Sequence, residues 1–129
     1  MATIADVMRP DFITVAPEDT LGEVAGKMTS LNVGAVIVKD FGRLIGILTE
    51  RDMLKAMAER VHTSEARVRQ FMTSDPVTAP AEMPVEEAAQ VMLDNGFRHL
   101  PVMDGQTVLG VVSLRRVVAA LPQPSPEAA

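Results

Sequence analysis

The sequence contains no cysteine, tryptophan or tyrosine, and only two histidines. Without cysteine the chain forms no disulfide, and thiol catalysis and thiolate metal sites are excluded. His62 and His99 are too few for a histidine metal cage. Four phenylalanines are the only aromatic residues, so aromatic stacking is a poor candidate for ligand recognition.

Long apolar runs and an excess of positive charge are also missing. No apolar stretch reaches the roughly 20 residues that span a bilayer, and the N-terminus lacks the charged start and apolar core of a signal peptide. We therefore expect a cytoplasmic protein without a membrane partner. The formal net charge of −5 argues against a nucleic-acid partner, because sequence-independent binding requires an extended basic surface.

An internal repeat organises the chain of 129 residues, which is long enough for one folded unit with a real core. A shift of 64 positions aligns residues 8–57 with residues 72–121 without a gap, and 12 of the 50 positions are identical. The identical pairs include Met8 with Met72 and Gly46 with Gly110. The repeat predicts a duplicated half-domain of about 50 residues.

Each copy predicts the same order of elements, βαββα. A short extended stretch is followed by a helix with apolar residues at a spacing of 3.6, and then by two apolar runs joined by a tight turn, which predicts a hairpin. A second helix begins at Thr49 or Ser113. Its expected buried side carries Met53, Leu54 and Met57 in the first copy, and Val117, Val118 and Leu121 in the second.

These patterns predict one module over residues 1–129. We place the first repeat at 4–58, a polar linker at 59–70 and the second repeat at 71–121. Residues 122–129 contain three prolines and little to bury, so we predict a disordered tail.

The second helix of the first copy opens with Thr49-Glu50-Arg51-Asp52. A hydroxyl and a carboxylate three residues apart at a helix start both point off its N-terminus, where anionic oxygens are favoured. A phosphate fits there, and the aspartate can accept two hydrogen bonds from a ribose diol. The competing interpretation is an ordinary N-cap pair with no ligand.

The motifs together resemble the cystathionine-β-synthase (CBS) domain. The resemblance is carried by Gly46-Ile47-Leu48-Thr49-Glu50-Arg51-Asp52 in the first copy, and by Arg98-His99-Leu100-Pro101-Val102 with Gly110-Val111-Val112-Ser113 in the second. It extends from about Ile4 to Leu121 and implies an α/β (α+β) fold, a tandem pair of βαββα units related by pseudo-two-fold symmetry. It also implies clefts between the units, dimerisation, and AMP, ADP, ATP or S-adenosylmethionine as ligand.

With the resemblance granted, twelve residues are candidates for ligand contact: Ile13, Thr14, Ala35, Val36, Thr49, Arg51, Asp52, Thr78, Arg98, His99, Ser113 and Arg116. Adenine is expected between aliphatic side chains such as Ile13, Val15 and Val36.

The copies differ at Arg116, which stands where the first copy has Asp52. Arginine offers no acceptor to a ribose, so one strong nucleoside site per chain is expected, while Arg116 either binds phosphate or lies solvated.

The sequence shows no nucleophile beside a base, no metal-ligand cluster and no Gly-rich phosphate loop. We therefore expect a non-enzymatic regulatory module that needs no cofactor and binds an adenosine-containing ligand between its repeats. Its expected partners are a second copy of the chain and an unknown target protein. The alternative is a module that binds no ligand and serves only homodimerisation or protein interaction.

Overall fold

The computed structural model describes residues 1–122, which fold into two sheets and their flanking helices. The first copy contains β1 (Thr14–Val15), α1 (Leu21–Leu31), β2 (Ala35–Asp40), β3 (Arg43–Thr49) and α2 (Glu50–Ala58). The second begins with α3 (Val68–Phe71) and β4 (Thr73–Ser74), followed by β5 (Ala79–Pro80), α4 (Val85–Asn95), β6 (His99–Asp104), β7 (Thr107–Ser113) and α5 (Leu114–Ala120). Residues 123–129 of the expected tail lie outside the described residues.

Both predicted hairpins are confirmed. β2 pairs antiparallel with β3, and β6 pairs antiparallel with β7. β1 lies parallel to β2, and β5 lies parallel to β6, because a helix crossover separates each pair along the chain. The first hairpin turns through Phe41 and Gly42, both at positive φ, which matches the right-handed twist of the strands.

The apolar stripes of α1 and α4 face two separate cores. Val24 of α1 and Met92 of α4 are buried in the first and second core respectively. Thr20 caps α1, since its hydroxyl oxygen accepts a hydrogen bond from the Glu23 N–H at 3.2 Å. A third cluster formed by Ile37, Val108 and Val111 contains residues of both sheets and joins the two copies.

The expected buried side of α2 is wrong in part. Leu54 is 64% exposed and Met57 is 73% exposed, while Asp52 and Ala56 are the residues of α2 that point inward. Residues four apart lie on one face of a helix, so burying Asp52 and Ala56 turns Leu54 and Met57 outward. In α5 the equivalent of Leu54, Val118, is also exposed. An apolar helical surface is therefore left uncovered in the single chain.

The N-terminal segment of each copy packs on the opposite copy. Ile4 is fully buried in the second core, and its N–H donates to the carbonyl oxygen of Met83 at 2.9 Å. Val68, 64 residues later, is fully buried in the first core, and its N–H donates to the carbonyl oxygen of Asp19 at 2.9 Å. The expected linker 59–70 thus contributes core residues, among them Ala66.

These N-terminal segments, which we call the crossing segments, lie close to two glycines of the opposite sheet. Each glycine leaves room for the backbone and a methionine side chain of a crossing segment. A Cβ at Gly110 would lie 2.7 Å from the carbonyl oxygen of Arg9 and 2.9 Å from the Met8 sulfur. A Cβ at Gly46 would lie 2.9 Å from the carbonyl oxygen of Thr73 and 2.7 Å from the Met72 sulfur. The two identities Met8/Met72 and Gly46/Gly110 therefore have one structural cause, which is a reciprocal contact between the copies.

Replacing Gly110 with alanine tests this contact. We expect Gly110→Ala to lower the free energy of unfolding by about 1 to 3 kcal/mol, because the added methyl group meets backbone that cannot move away freely. Urea denaturation measures the change. Gly26→Ala is the matched control, because Gly26 lies inside α1 with nothing near its Cβ position, and this variant should gain up to about 1 kcal/mol. Equal midpoints for Gly110→Ala and the parent would contradict the close contact.

Candidate ligand-binding site

Two clefts lie between the copies. The Thr49 cleft, about 580 Å³ in volume, is lined by the start of α2 from the first copy and by residues 73, 75–77 and 95–99 from the second. The Arg116 cleft, about 1360 Å³, is lined by residues 9–12 and 32–35 of the first copy and by the start of α5. Each cleft thus combines the opening of one copy's last helix with extended segments of the other copy.

Thr49 and Asp52 form a complete capping box at the start of α2. The Asp52 N–H donates to the Thr49 hydroxyl oxygen at 3.3 Å, and the Thr49 N–H donates to Asp52 Oδ2 at 2.9 Å. The Thr49 hydroxyl also donates to Oδ2 at 3.2 Å. The capping hydrogen bonds that the sequence predicts are therefore present. Within residues 1–122 every hydrogen bond to this carboxylate goes to Oδ2, so Oδ1 keeps its acceptor capacity.

Arg98 and His99 enter the Thr49 cleft from the second copy, at the start of β6. Arg98 is exposed, whereas His99 is half-buried and lies 3.3 Å from a Cβ placed at Gly34. Burial lowers the pKa of His99 because the charged imidazolium loses hydration; the Glu50 carboxylate acts in the opposite direction, and the Arg98 charge lowers the pKa further. The imidazole is thus held toward its neutral form.

Asp75, Pro76 and Val77 also line the Thr49 cleft, and the sequence reasoning missed them. Pro76 is half-buried and Val77 is 45% exposed, so they supply an apolar wall. The repeat contains the signal, because Val77 is the equivalent of Ile13, which is a candidate in the first copy. Each extended segment lines the cleft that contains the last helix of the other copy. The equivalent residue that shares a cleft with Thr49 is therefore Val77 and not Ile13.

Arg51 also reaches across the Thr49 cleft. Its guanidinium donates to the carbonyl oxygen of Gly96 at 3.1 Å. Gly96 ends α4 in a left-handed conformation, so this bond ties the start of α2 to the end of α4. Arg51 therefore connects the two copies at the cleft wall.

The Arg116 cleft has different chemistry. Ser113 caps α5, its hydroxyl oxygen accepting a hydrogen bond from the Arg116 N–H at 3.2 Å. The Arg116 side chain donates to the carbonyl oxygen of Val7 at 3.3 Å, across the boundary between the copies. Arg9 pairs with Asp11 at 3.3 Å nearby, and its hydrogen bond is the main cause that holds the pKa of Asp11 below its usual value, with a smaller effect from the charges of Arg9 and Arg116.

The structure brings eight of the twelve expected residues to the clefts. The Thr49 cleft is lined by Thr49, Arg51 and Asp52, and the Arg116 cleft by Ala35, Ser113 and Arg116. Both clefts are lined by Arg98 and His99. Ile13, Thr14, Val36 and Thr78 line neither. The side chains of Val15 and Val36 are buried in the first core, and neither they nor Ile13 line a cleft, so the expected adenine pocket between them is not formed. Apolar residues that do line the Thr49 cleft include Pro76 and Val77.

Comparison with known proteins gives the family. The sequence model of the CBS domain matches residues 4–59 and again residues 68–123. The chain belongs to the CBS domain family. The CBS domain-containing protein YhcV of Bacillus subtilis is 33% identical over 114 residues, which are 88% of this chain and 81% of that protein.

Solved CBS structures share the whole fold. A CBS-domain protein of Agrobacterium tumefaciens superimposes with a TM-score of 0.86 and 31% identity, over 92% of this chain and 98% of that one. The CBS domain pair of protein MJ0100, solved with 5′-methylthioadenosine and S-adenosyl-L-methionine, gives a TM-score of 0.82 and 25% identity over 92% and 94%. CBS pairs are regulatory modules. Among the helices of residues 1–122, none is long and apolar enough to cross a membrane.

The environment of His99 predicts its titration. We expect its NMR midpoint to lie below the ordinary value of 6.5, and Glu50→Gln to lower it further, because the variant removes the carboxylate that favours the charged ring. With a folded pKa below the unfolded one, His99 destabilises the fold as pH falls through 6.5 toward the folded pKa. A midpoint at or above 6.5, or an upward shift in Glu50→Gln, would show that burial does not dominate.

Proposed function

We propose that this CBS pair is a non-enzymatic sensor that binds one adenosine-containing ligand per chain in the Thr49 cleft. The ligand class comprises AMP, ADP, ATP and S-adenosylmethionine. Binding changes the shape or the dynamics of the module and so regulates a target protein.

The observation that carries the proposal is the convergence of complementary groups in one cleft of suitable size. A ligand pocket of about 300 to 1000 Å³ is typical for small molecules, and the Thr49 cleft has about 580 Å³. This cleft brings together a carboxylate from the first copy, a cation from the second copy and an apolar wall. An adenosine ligand needs all three, for its ribose, its anionic group and its base.

Each group has a distinct role in this proposal. The free Oδ1 of Asp52 accepts from the ribose hydroxyls, while Oδ2 stays bound to Thr49 and fixes the carboxylate. Arg98 donates to phosphate or carboxylate oxygens at the opposite wall. Pro76 and Val77 contact the faces of the adenine, whose edge is read by backbone groups of the extended segment.

The MJ0100 pair supports the ligand class, since that structure contains two adenosyl compounds on a closely similar fold. It does not choose between nucleotides and S-adenosylmethionine for this chain. The Thr49 cleft itself is nearly balanced in charge, with Glu50, Asp52 and Asp75 opposite Arg51, Lys55 and Arg98 among its described lining residues. Adenosine phosphates and a zwitterionic adenosyl compound are therefore both compatible with it.

Replacing Asp52 with alanine tests the site. We expect Asp52→Ala to weaken AMP binding on the order of tenfold to more than a hundredfold in calorimetry, because an ionised acceptor is lost. The parent should bind about one AMP per chain, and GMP much more weakly.

Ser113→Ala is the control for the loss of a helix cap, because Ser113 is the N-cap of α5, equivalent to Thr49, and its removal costs about 1 kcal/mol while leaving the Thr49 cleft intact. It should keep the parent's AMP affinity. If Asp52→Ala binds AMP as tightly as the parent, Asp52 is a cap and not a ligand contact.

The exposed helical surface favours a homodimer as part of this function. Leu54, Met57 and Val118 leave an exposed apolar surface on α2 and α5, beside the Arg116 cleft that they also line. A second copy related by two-fold symmetry covers such a surface on both molecules at once. The same observation favours the alternative function, a homodimerisation module without a ligand, which the AMP titration separates from the sensor.

Light scattering at tens of micromolar should give twice the chain mass of 13.9 kDa. We expect Leu54→Glu to shift the equilibrium toward monomer, because it places a charge in the apolar contact. Phe41→Glu is the control: Phe41 is 97% exposed at the tip of a hairpin, away from α2 and α5, so the dimer should persist. A monomeric parent would refute the dimer.

A further inference from the structure

The tip of the first hairpin has a large aromatic residue where its turn favours a small one. Phe41 has a φ of 52° and Gly42 a φ of 76°, so both central residues of this two-residue turn are left-handed. That conformation suits glycine, asparagine and aspartate, and it is strained for a bulky side chain. Phe41 is also 97% exposed. Its backbone is therefore strained without any packing of its ring that would offset the strain.

The second hairpin shows what the turn itself requires. The equivalent of Phe41, 64 residues later, is Gly105, which has a φ of 59° at the first position of its own two-residue turn. The residues two places before and after Phe41 are Lys39 and Arg43, and the second copy has an uncharged methionine and threonine there. The same hairpin therefore forms without the aromatic ring and without the two cations. These three side chains of the first copy are not explained by the fold.

The charges at the tip of the first hairpin are mainly positive. Arg43 is exposed and forms no ion pair within residues 1–122. The Lys39 ammonium lies over the Phe12 ring, 5.9 Å from its centroid, which keeps this cation at the end of the sheet. The Asp40 carboxylate lies 3.8 Å from the Arg69 guanidinium, which balances its charge. The tip thus has a local positive charge on a chain whose formal net charge is −5.

A single protruding ring between cations fits a pocket better than a flat surface. Among residues 1–122, no other strongly exposed large apolar side chain belongs to this hairpin. One ring offers little apolar area to a membrane surface, whereas a matching protein pocket removes the whole ring from water. Aromatic residues and arginine are also the commonest anchors of protein interfaces. The cations beside the ring select a pocket whose rim is acidic.

We propose that Phe41, flanked by Lys39 and Arg43, is a docking anchor that inserts into an apolar pocket with an acidic rim on a target protein. The link from docking to regulation rests on the proposed function, whereas the docking contact itself needs no ligand in the Thr49 cleft. The anchor lies away from the dimer surface on α2 and α5, so a dimer presents two anchors.

Replacing Phe41 with asparagine separates docking from folding. We expect Phe41→Asn to keep or raise the urea midpoint, because asparagine tolerates the left-handed conformation, and to keep the parent's AMP affinity and oligomeric mass. Gln106→Ala is the matched control, because Gln106 is exposed at the turn of the second hairpin. A midpoint clearly below the control's means that Phe41 supports the fold, and a changed mass means that it contacts a second copy. Either result overturns the proposal.

Photo-crosslinking in the cells that naturally produce the protein identifies the target. The probe is p-benzoylphenylalanine in the full chain, at position 41 or, as the control, at position 106. A protein crosslinked only from position 41 is then purified and titrated by calorimetry. Phe41→Asn should weaken its binding roughly tenfold or more, and so should Arg43→Glu, which places a negative charge against the acidic rim. Gln106→Ala should bind like the parent, and the parent's affinity should fall with rising salt.

The remaining outcomes also decide. The anchor is overturned if no protein is captured from position 41, if both positions capture the same protein equally, or if Phe41→Asn binds the purified protein like the parent. Parent binding to vesicles of equal parts phosphatidylcholine and phosphatidylglycerol that Phe41→Asn loses assigns the anchor to a membrane and overturns the protein pocket. A target that binds as expected to a parent without affinity for adenosine ligands upholds the anchor and overturns the proposed function.

Discussion

The reciprocal packing of the two crossing segments on the opposite copies is the contact on which the clefts depend. Ile4 completes the second core and Val68 completes the first, so neither core is closed by its own repeat alone. The close approach at Gly46 and Gly110 then fixes the crossing backbone against the opposite sheet. Because core packing tolerates little displacement, the two copies hold one relative position, and the residues between them face each other reproducibly.

The crossing also explains why each cleft is built from both copies. The stretch after each crossing segment, residues 10–12 or 75–77, runs beside the last helix of the opposite copy. Under the proposed function, a ligand in the Thr49 cleft would touch the first copy at Asp52 and the second at Val77 and Arg98. A ligand that changed the distance between these groups would act on the contact between the copies, and this is the route by which the proposed binding would regulate a target.

The fold is almost symmetric, but its clefts are not. The pseudo-two-fold axis places Asp52 and Arg116 at equivalent positions, so one substitution converts an acceptor into a set of donors. His99 likewise stands where the first copy has Ala35, and Arg98 where it has Gly34. Duplication gives the two copies the same backbone fold, and a few different side chains give the two clefts different chemistry. The replacement of Asp52 by Arg116 contributes to the difference in charge between the two clefts.

The hairpins, the stripes of α1 and α4 and the capping pairs could be predicted from the sequence, because each depends on residues close together in the chain. The repeat likewise identified Asp52 and Arg116 as equivalent. The orientation of α2 and the core role of Ala66 and Val68 could not be predicted, since burial there is decided by partners tens of residues away. The wall formed by Pro76 and Val77 was missed for the same reason: which copy's extended segment faces Thr49 is set only when the two copies pack.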